Sequence, residues 1–113
     1  MRIETERIGA NLIVQLDGEL DLETSPLFRA VVEEKLDQYE FVKHLILDFK
    51  KVNFIDSSGL GVILGRFKRI SQKGGKMSAI HVGAPLLRVF QLSGLLRIMA
   101  IYDDRQQAIN RVS

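Results

Sequence analysis

The residues most able to do chemistry lie in one run, DSSGLGVILG, at positions 56–65. A serine at the start of a helix commonly accepts a hydrogen bond from a free backbone N–H. The three glycines of the run are spaced like those of loops that hold nucleotide phosphates. The second serine, Ser58, could instead receive phosphate itself, since the free N–H groups and the dipole of a helix start stabilise added negative charge. The run therefore predicts a helix cap, a phosphate cradle or a modifiable serine beside a binding face.

The dinucleotide interpretation of the run is the weakest of the three. It requires an acidic residue near the end of the next strand to hold the ribose hydroxyls, and His81 and its neighbours occupy that place. The sequence also has no lysine-bearing phosphate loop and no serine-nucleophile elbow. The two histidines have no cysteine or paired carboxylates at metal-ligand spacing. We therefore expect a chain that is not an enzyme and has no metal or cofactor of its own.

The composition limits the classes of partner. The chain has 113 residues, no cysteine and a net charge of +2 spread along its length. So small and dispersed a charge does not favour nucleic acid as a partner. No apolar run is long enough to span a bilayer, and the opening residues lack the apolar segment of a signal peptide. We expect a soluble cytoplasmic protein that does not act at a membrane.

Strands and helices alternate around this run. The apolar pattern predicts strands at 3–8, 12–16, 45–49, 77–82 and 98–102, the first two forming a hairpin. It predicts helices that begin after Thr24, which is expected to be an N-cap, at Ser57, at about Ala84 and after Asp104. The second helix is expected to end near Gln72, and the last to include Val112. Strands joined by helices indicate an α/β fold with a mixed sheet, parallel where helices make the crossovers and antiparallel at the hairpin.

The second helix presents two distinct faces. Its predicted core stripe comprises Leu60, Ile63, Leu64, Phe67 and Ile70, and the opposite side comprises Ser58, Gly61, Val62, Gly65 and Arg69. A glycine inside a helix costs about 1 kcal/mol relative to alanine, so two of them on one line require a compensating use. Close approach by another surface is the simplest use, and the sequence leaves open whether that surface is a neighbouring helix or a separate partner.

Three segments together resemble one family. They are the run from Phe54 to Arg66, the upstream GELD at 18–21 and the downstream LSGL at 92–95. Together they are similar to the STAS-domain anti-anti-sigma factors, and the resemblance covers almost all of residues 1–113. It implies a single STAS domain, a small mixed β-sheet with an N-terminal antiparallel hairpin and helices packed mainly on one face.

The resemblance also implies a phosphorylated antagonist of the sporulation type. Ser58 maps to the serine that is phosphorylated, and the partner is an anti-sigma factor that is also an ATP-dependent serine kinase. ATP or ADP is bound by that kinase, and a separate serine phosphatase restores the unphosphorylated form. The residues implied to bind the partner are Asp21, Ile55, Asp56, Ser57, Gly59, Leu60 and Gly61. The alternatives are a general-stress antagonist and a STAS scaffold that is never phosphorylated, in which Ser58 only caps its helix.

Overall fold

The five strands lie in the sheet in the order in which they occur along the chain. The computed structural model describes residues 1–110. The strands are β1 Arg2–Ile8, β2 Asn11–Asp17, β3 His44–Lys51, β4 Lys76–Ile80 and β5 Ala100–Tyr102. The helices are α1 Ser25–Gln38, α2 Ser57–Gln72, α3 Ala84–Ser93 and α4 Arg105–Asn110, with a 3₁₀ turn at Leu95–Arg97. The strand order is β1-β2-β3-β4-β5, antiparallel for β1 and β2 and parallel for the rest.

This strand order determines where the helices lie. Helices α1, α2 and α3 each connect two adjacent parallel strands, and such crossovers are right-handed in nearly all proteins. Because the strands advance across the sheet in one direction, all three crossovers fall on the same face. Residues of these helices accordingly share one core with β2, β3 and β4, which includes an edge-to-face contact between Phe49 and Phe90 at 5.3 Å between ring centroids.

The other face of the sheet is covered by α4. A smaller cluster there contains Ile13, Ile46, Ile80 and Ala108. The predicted mixed α/β fold, with its hairpin and with helices mainly on one face, is therefore confirmed. The expectation that Val112 belongs to the last helix lies outside the described residues.

Two details of the helices differ from the predictions. Helix α2 has the predicted bounds, and in its predicted core stripe Ile63 and Ile70 are buried while Leu60 and Phe67 pack half-buried against the core. Leu64 is instead 38% exposed, and Arg66 is buried. The helix is rotated towards α1, and this brings Arg66 inward beside Glu33. Thr24 does not cap α1 with its side chain. Its hydroxyl donates instead to the carbonyl of Glu19 in the preceding loop.

Candidate functional site

Two loops meet at the edge of the sheet where β2 and β3 end. Loop 18–24 leads into α1 and loop 52–56 leads into α2. An isolated parallel bridge joins Leu20 to Ile55, and the Leu20 N–H donates to the carbonyl of Phe54 at 3.1 Å. Ligands of parallel α/β sheets commonly bind outside the carboxyl ends of the strands, so this edge is where a site is expected.

Asp56 joins the two loops and caps α2. One carboxylate oxygen, Oδ1, accepts a hydrogen bond from the Gly59 N–H at 2.9 Å, and Oδ2 accepts one from the Leu22 N–H at 3.1 Å. The Asp56 N–H in turn donates to the carbonyl of Leu20 at 3.2 Å. One side chain thus fixes the start of α2 and holds the 18–24 loop against it.

Ser58 is left free by this arrangement. It is the second residue of α2, half-buried, and within residues 1–110 its hydroxyl makes no hydrogen bond. The proposal that a serine caps the helix is wrong, because Asp56 already occupies that role. The backbone N–H groups of Ser57 and Ser58 likewise have no hydrogen-bond acceptor among the described residues. They lie where the partial positive charge of the helix is concentrated.

The glycines of the run differ in their surroundings. A Cβ on Gly59 would overlap the carbonyl oxygen of Leu20 and would approach Cγ2 of Ile55 to 2.8 Å. A Cβ on Gly61 or Gly65 would meet nothing within 4 Å. Gly59 therefore permits the close approach of the two loops. Packing against a neighbouring helix of the same domain does not explain Gly61 and Gly65, because no described residue approaches them.

The geometry also argues against a nucleotide cradle. The Asp56 carboxylate takes up the Gly59 N–H that a phosphate would need, and it places negative charge at the same point. Gly61 and Gly65 lie inside α2 rather than in the turn before it. A phosphate loop requires exposed N–H groups of the turn itself.

Asp21 organises the loop on the other side of the site. Its Oδ1 accepts from the N–H groups of Glu23 and Thr24 at 3.0 and 3.1 Å, and its own N–H donates to the Thr24 hydroxyl at 2.9 Å. The Ser25 N–H donates to the Asp21 carbonyl at 2.8 Å. The turn is thus held by its own side chains, and Leu22 at its tip is 72% exposed.

A groove of about 680 Å³ separates the first turns of α1 and α2. It is lined by Leu22, Ser25, Pro26, Arg29, Ala30, Glu33, Ser58 and Val62. Its wall is mostly apolar, and its charged side chains are Arg29 and Glu33 of α1. Leu22 and the exposed Phe54 of the neighbouring loop add large apolar side chains at the same edge. Such a surface is suited to a protein partner.

Charged residues connect the two helices below this groove. Glu33 accepts from Arg69 at 3.2 Å and lies 3.8 Å from Arg66, and Asp37 accepts from Arg69 at 2.7 Å. Arg66 is only 6% exposed, and two of its nitrogens, Nε and Nη1, have no partner among the described residues. Burial, only partly offset by Glu33, lowers the pKa of the Arg66 guanidinium from its ordinary value.

The structure brings together the residues implied to bind the partner. Asp21, Asp56, Ser57, Leu60 and Gly61 are exposed or half-buried around Ser58. Ile55 and Gly59 are buried and shape the surface from beneath. The groove residues contributed by α1 were not among those implied by the sequence. The available signal was the small or apolar Pro26 and Ala30 on an exposed face of that helix.

Two further observations concern the whole described chain. Among residues 1–110, no group of histidine and carboxylate side chains is arranged to hold a metal ion. In the same part of the chain, no helix is both long and apolar enough to cross a membrane.

Comparisons with known proteins agree with this geometry. The STAS domain family matches residues 2–108. The anti-sigma F factor antagonist of Paenibacillus polymyxa is 44% identical over 112 residues, covering 99% of this chain and 95% of that protein. Two solved structures are also similar. The anti-sigma factor antagonist SpoIIAA in its unphosphorylated form has a TM-score of 0.76 and 26% identity, covering 98% of this chain and 97% of that one. The Bacillus cell fate determinant SpoIIAA in its phosphorylated form has a TM-score of 0.76 and 29% identity, covering 99% of this chain and 100% of that one.

The sheet order, the three crossover helices on one face and the serine at the start of α2 define a small α/β domain. The chain belongs to the STAS-domain family. The relatives named above are, within that family, anti-sigma factor antagonists.

Proposed function

We propose that this chain is an anti-sigma factor antagonist. In its unphosphorylated form it binds an anti-sigma factor through the edge formed by loop 18–24 and the start of α2, and a sigma factor is released. The extended likeness to an anti-sigma F factor antagonist supports this activity and favours the sporulation sigma factor over the general-stress one. The apolar groove and the exposed Leu22 support a protein as the ligand.

Phosphorylation of Ser58 is the proposed off-switch. The observation that carries it is a serine hydroxyl with no hydrogen bond among described residues, placed at the rim of this groove. A phosphoryl group there adds about −1.5 to −2 charges close to the Asp56 carboxylate. The added charge repels acidic groups and must be desolvated when a partner packs on the groove, so binding is lost. The fold is kept, because the hydroxyl supports no internal contact.

The bare face of α2 supports the same interface. Gly61 lies three residues after Ser58 and therefore on the same side of the helix. A helix gains nothing from a glycine in its interior, and no described residue uses the space beside Gly61. A partner that approaches the α2 backbone closely would use that space.

The phosphoryl group comes from ATP held by the partner. We propose that the anti-sigma factor is also a serine kinase. The Ser58 hydroxyl oxygen bonds to the γ-phosphorus of ATP, its proton is released, and ADP leaves. Hydrolysis of the phosphoserine by a serine phosphatase returns the hydroxyl and inorganic phosphate. In this scheme the chain catalyses neither step and binds no cofactor.

The modification is tested by mass spectrometry after incubation with an anti-sigma F kinase and Mg-ATP. We expect one phosphate, assigned to Ser58 by fragmentation, that is absent from Ser58→Ala and retained by Ser57→Ala. The neighbouring serine is the matched control, because it is exposed on the same turn. Phosphate on Ser57, or none while the kinase modifies another antagonist, would overturn the proposal.

A further inference from the structure

Arg29 is an unpaired cation in the same groove as Ser58. Both side chains line the groove, and Arg29 is exposed on the first half of α1. Among described residues it makes no ion pair or hydrogen bond. Within residues 1–110 the Arg29 guanidinium is therefore available to an added anion.

The register of the two helices places Arg29 about one helical turn below Ser58. Helices α1 and α2 follow parallel strands and so run in the same direction. Glu33 contacts Arg66 and Arg69, so one turn earlier Arg29 lies beside the segment that follows Val62. Side chains of a helix lean towards its N-terminus. A long side chain that leans this way can reach towards the level of Ser58. The charge of Arg29 also acts on Arg66, whose pKa it helps to lower.

The other charged groups at this interface either already lie beside a carboxylate or are themselves negative. Arg69 is paired with Glu33 and Asp37, and Arg66 is buried beside Glu33. Asp56, on the α2 side, carries negative charge and repels a phosphoryl group. Arg29 is therefore the cation of the groove that is free to bind an added anion, and guanidinium binds phosphate oxygens through two parallel hydrogen bonds.

We propose that Arg29 is the receptor for the phosphoryl group on Ser58 and pairs with it across the groove. The inference rests on the proposed modification of Ser58. The pair connects α1 to α2 over the apolar wall, so phosphorylation closes the partner surface as well as charging it.

The test installs phosphoserine at position 58 by genetic code expansion, so it requires no kinase. The ³¹P shift of the phosphate is followed through its titration in the otherwise unchanged chain, in Arg29→Gln and in Arg88→Gln. Arg88 is the matched control, an exposed arginine on α3 outside the groove. We expect the titration midpoint to rise by about 0.5 pH in Arg29→Gln and to stay in place in Arg88→Gln, because an adjacent cation favours the dianion.

Two further results separate pairing from a general effect of charge. Arg29→Lys should restore part of the difference, and raising the salt to about 1 M should reduce it, because exposed pairs are screened. Equal midpoints in the unchanged chain and Arg29→Gln would overturn the receptor role even if a kinase modifies Ser58. Failure of a kinase to modify Ser58 would overturn the proposed function and would leave the titration result standing.

Discussion

Gly59 and Gly61 are two residues apart on α2, yet they serve different purposes. Gly59 lies under the carbonyl of Leu20 and against Ile55, so its missing side chain allows the two loops to touch. Gly61 is exposed to open space. The first glycine is required by the fold, and among the described residues nothing requires the second, which the proposed interface would use.

Alanine at these two positions should act in opposite directions. We expect Gly61→Ala to raise the free energy of unfolding by about 1 kcal/mol, through helix propensity alone, and to weaken binding to the anti-sigma factor. Gly59→Ala should lower the free energy of unfolding by about 1 to 3 kcal/mol, because the added methyl group overlaps the backbone of Leu20. Urea unfolding measures the stability of each variant, and titration calorimetry measures its binding to the anti-sigma factor. A Gly61→Ala chain that is more stable and binds equally well would contradict the interface role of this face.

Single residues also show where sequence patterns stop being informative. The run at 56–65 predicted both the helix and the importance of Ser58, but aspartate and serine cap helices about equally well. Only the observed bonds of Asp56 decide between them. The buried Arg66 could not be predicted from periodicity, because a charged side chain is normally assigned to solvent. Its burial depends on Glu33 of another helix.

At the scale of elements, the start of α2 is held to the loop before α1 by one carboxylate. Oxygen Oδ1 of Asp56 caps the helix and Oδ2 accepts from the N–H of Leu22. The exposed Leu22 and the half-buried Ser58 are thereby kept in fixed relation. Loss of the carboxylate should affect stability and recognition together.

We expect Asp56→Ala to lower the free energy of unfolding by about 1 to 2 kcal/mol, the usual cost of losing an N-cap. Asp56→Asn should cost less, since its single amide oxygen can still accept from Gly59 while the bond to Leu22 is lost. Both variants should bind the anti-sigma factor more weakly than the unchanged chain. An Asp56→Asn chain with full stability and full affinity would show that the tie to Leu22 is not needed.

The groove itself was not predictable from the sequence. The order and type of the elements followed from apolar patterns and turn residues, which are local properties. The groove arises where α1 and α2, about thirty residues apart, begin side by side at one sheet edge. Its lining from Pro26 to Glu33 depends on how the two helices pack against each other. Local sequence patterns do not predict that packing.

On the scale of the whole molecule, a buried histidine connects three strands. His44 of β3 is 1% exposed, its Nδ1 lies 3.0 Å from Oδ1 of Asn11 on β2, and its Nε2 bonds to the hydroxyl of Ser78 on β4. Burial, with a contribution from Lys76, lowers the pKa of His44 from 6.5 to about 4. The neutral ring satisfies both neighbours, and its protonation opposes the native sheet.

Stability should therefore fall on mild acidification. Because the pKa of His44 is lower in the folded chain, the unfolded chain binds more protons between pH 6.5 and pH 4, and its population increases there. The loss should be about 2 kcal/mol from pH 7 to pH 5. Urea unfolding at several pH values measures it. We expect His44→Gln to flatten this dependence and Lys76→Gln to reduce it slightly; an unchanged slope in His44→Gln would contradict the assignment.

The central claim is that the chain releases a sigma factor only while Ser58 is unmodified. It is tested most directly by the fluorescence anisotropy of a labelled sigma F factor bound to its anti-sigma factor, with this chain added in increasing amounts. We predict that the unmodified chain lowers the anisotropy to the value of free sigma factor, and that the chain with phosphoserine at position 58 leaves it unchanged. Equal release by both forms, or release by neither, would contradict the account.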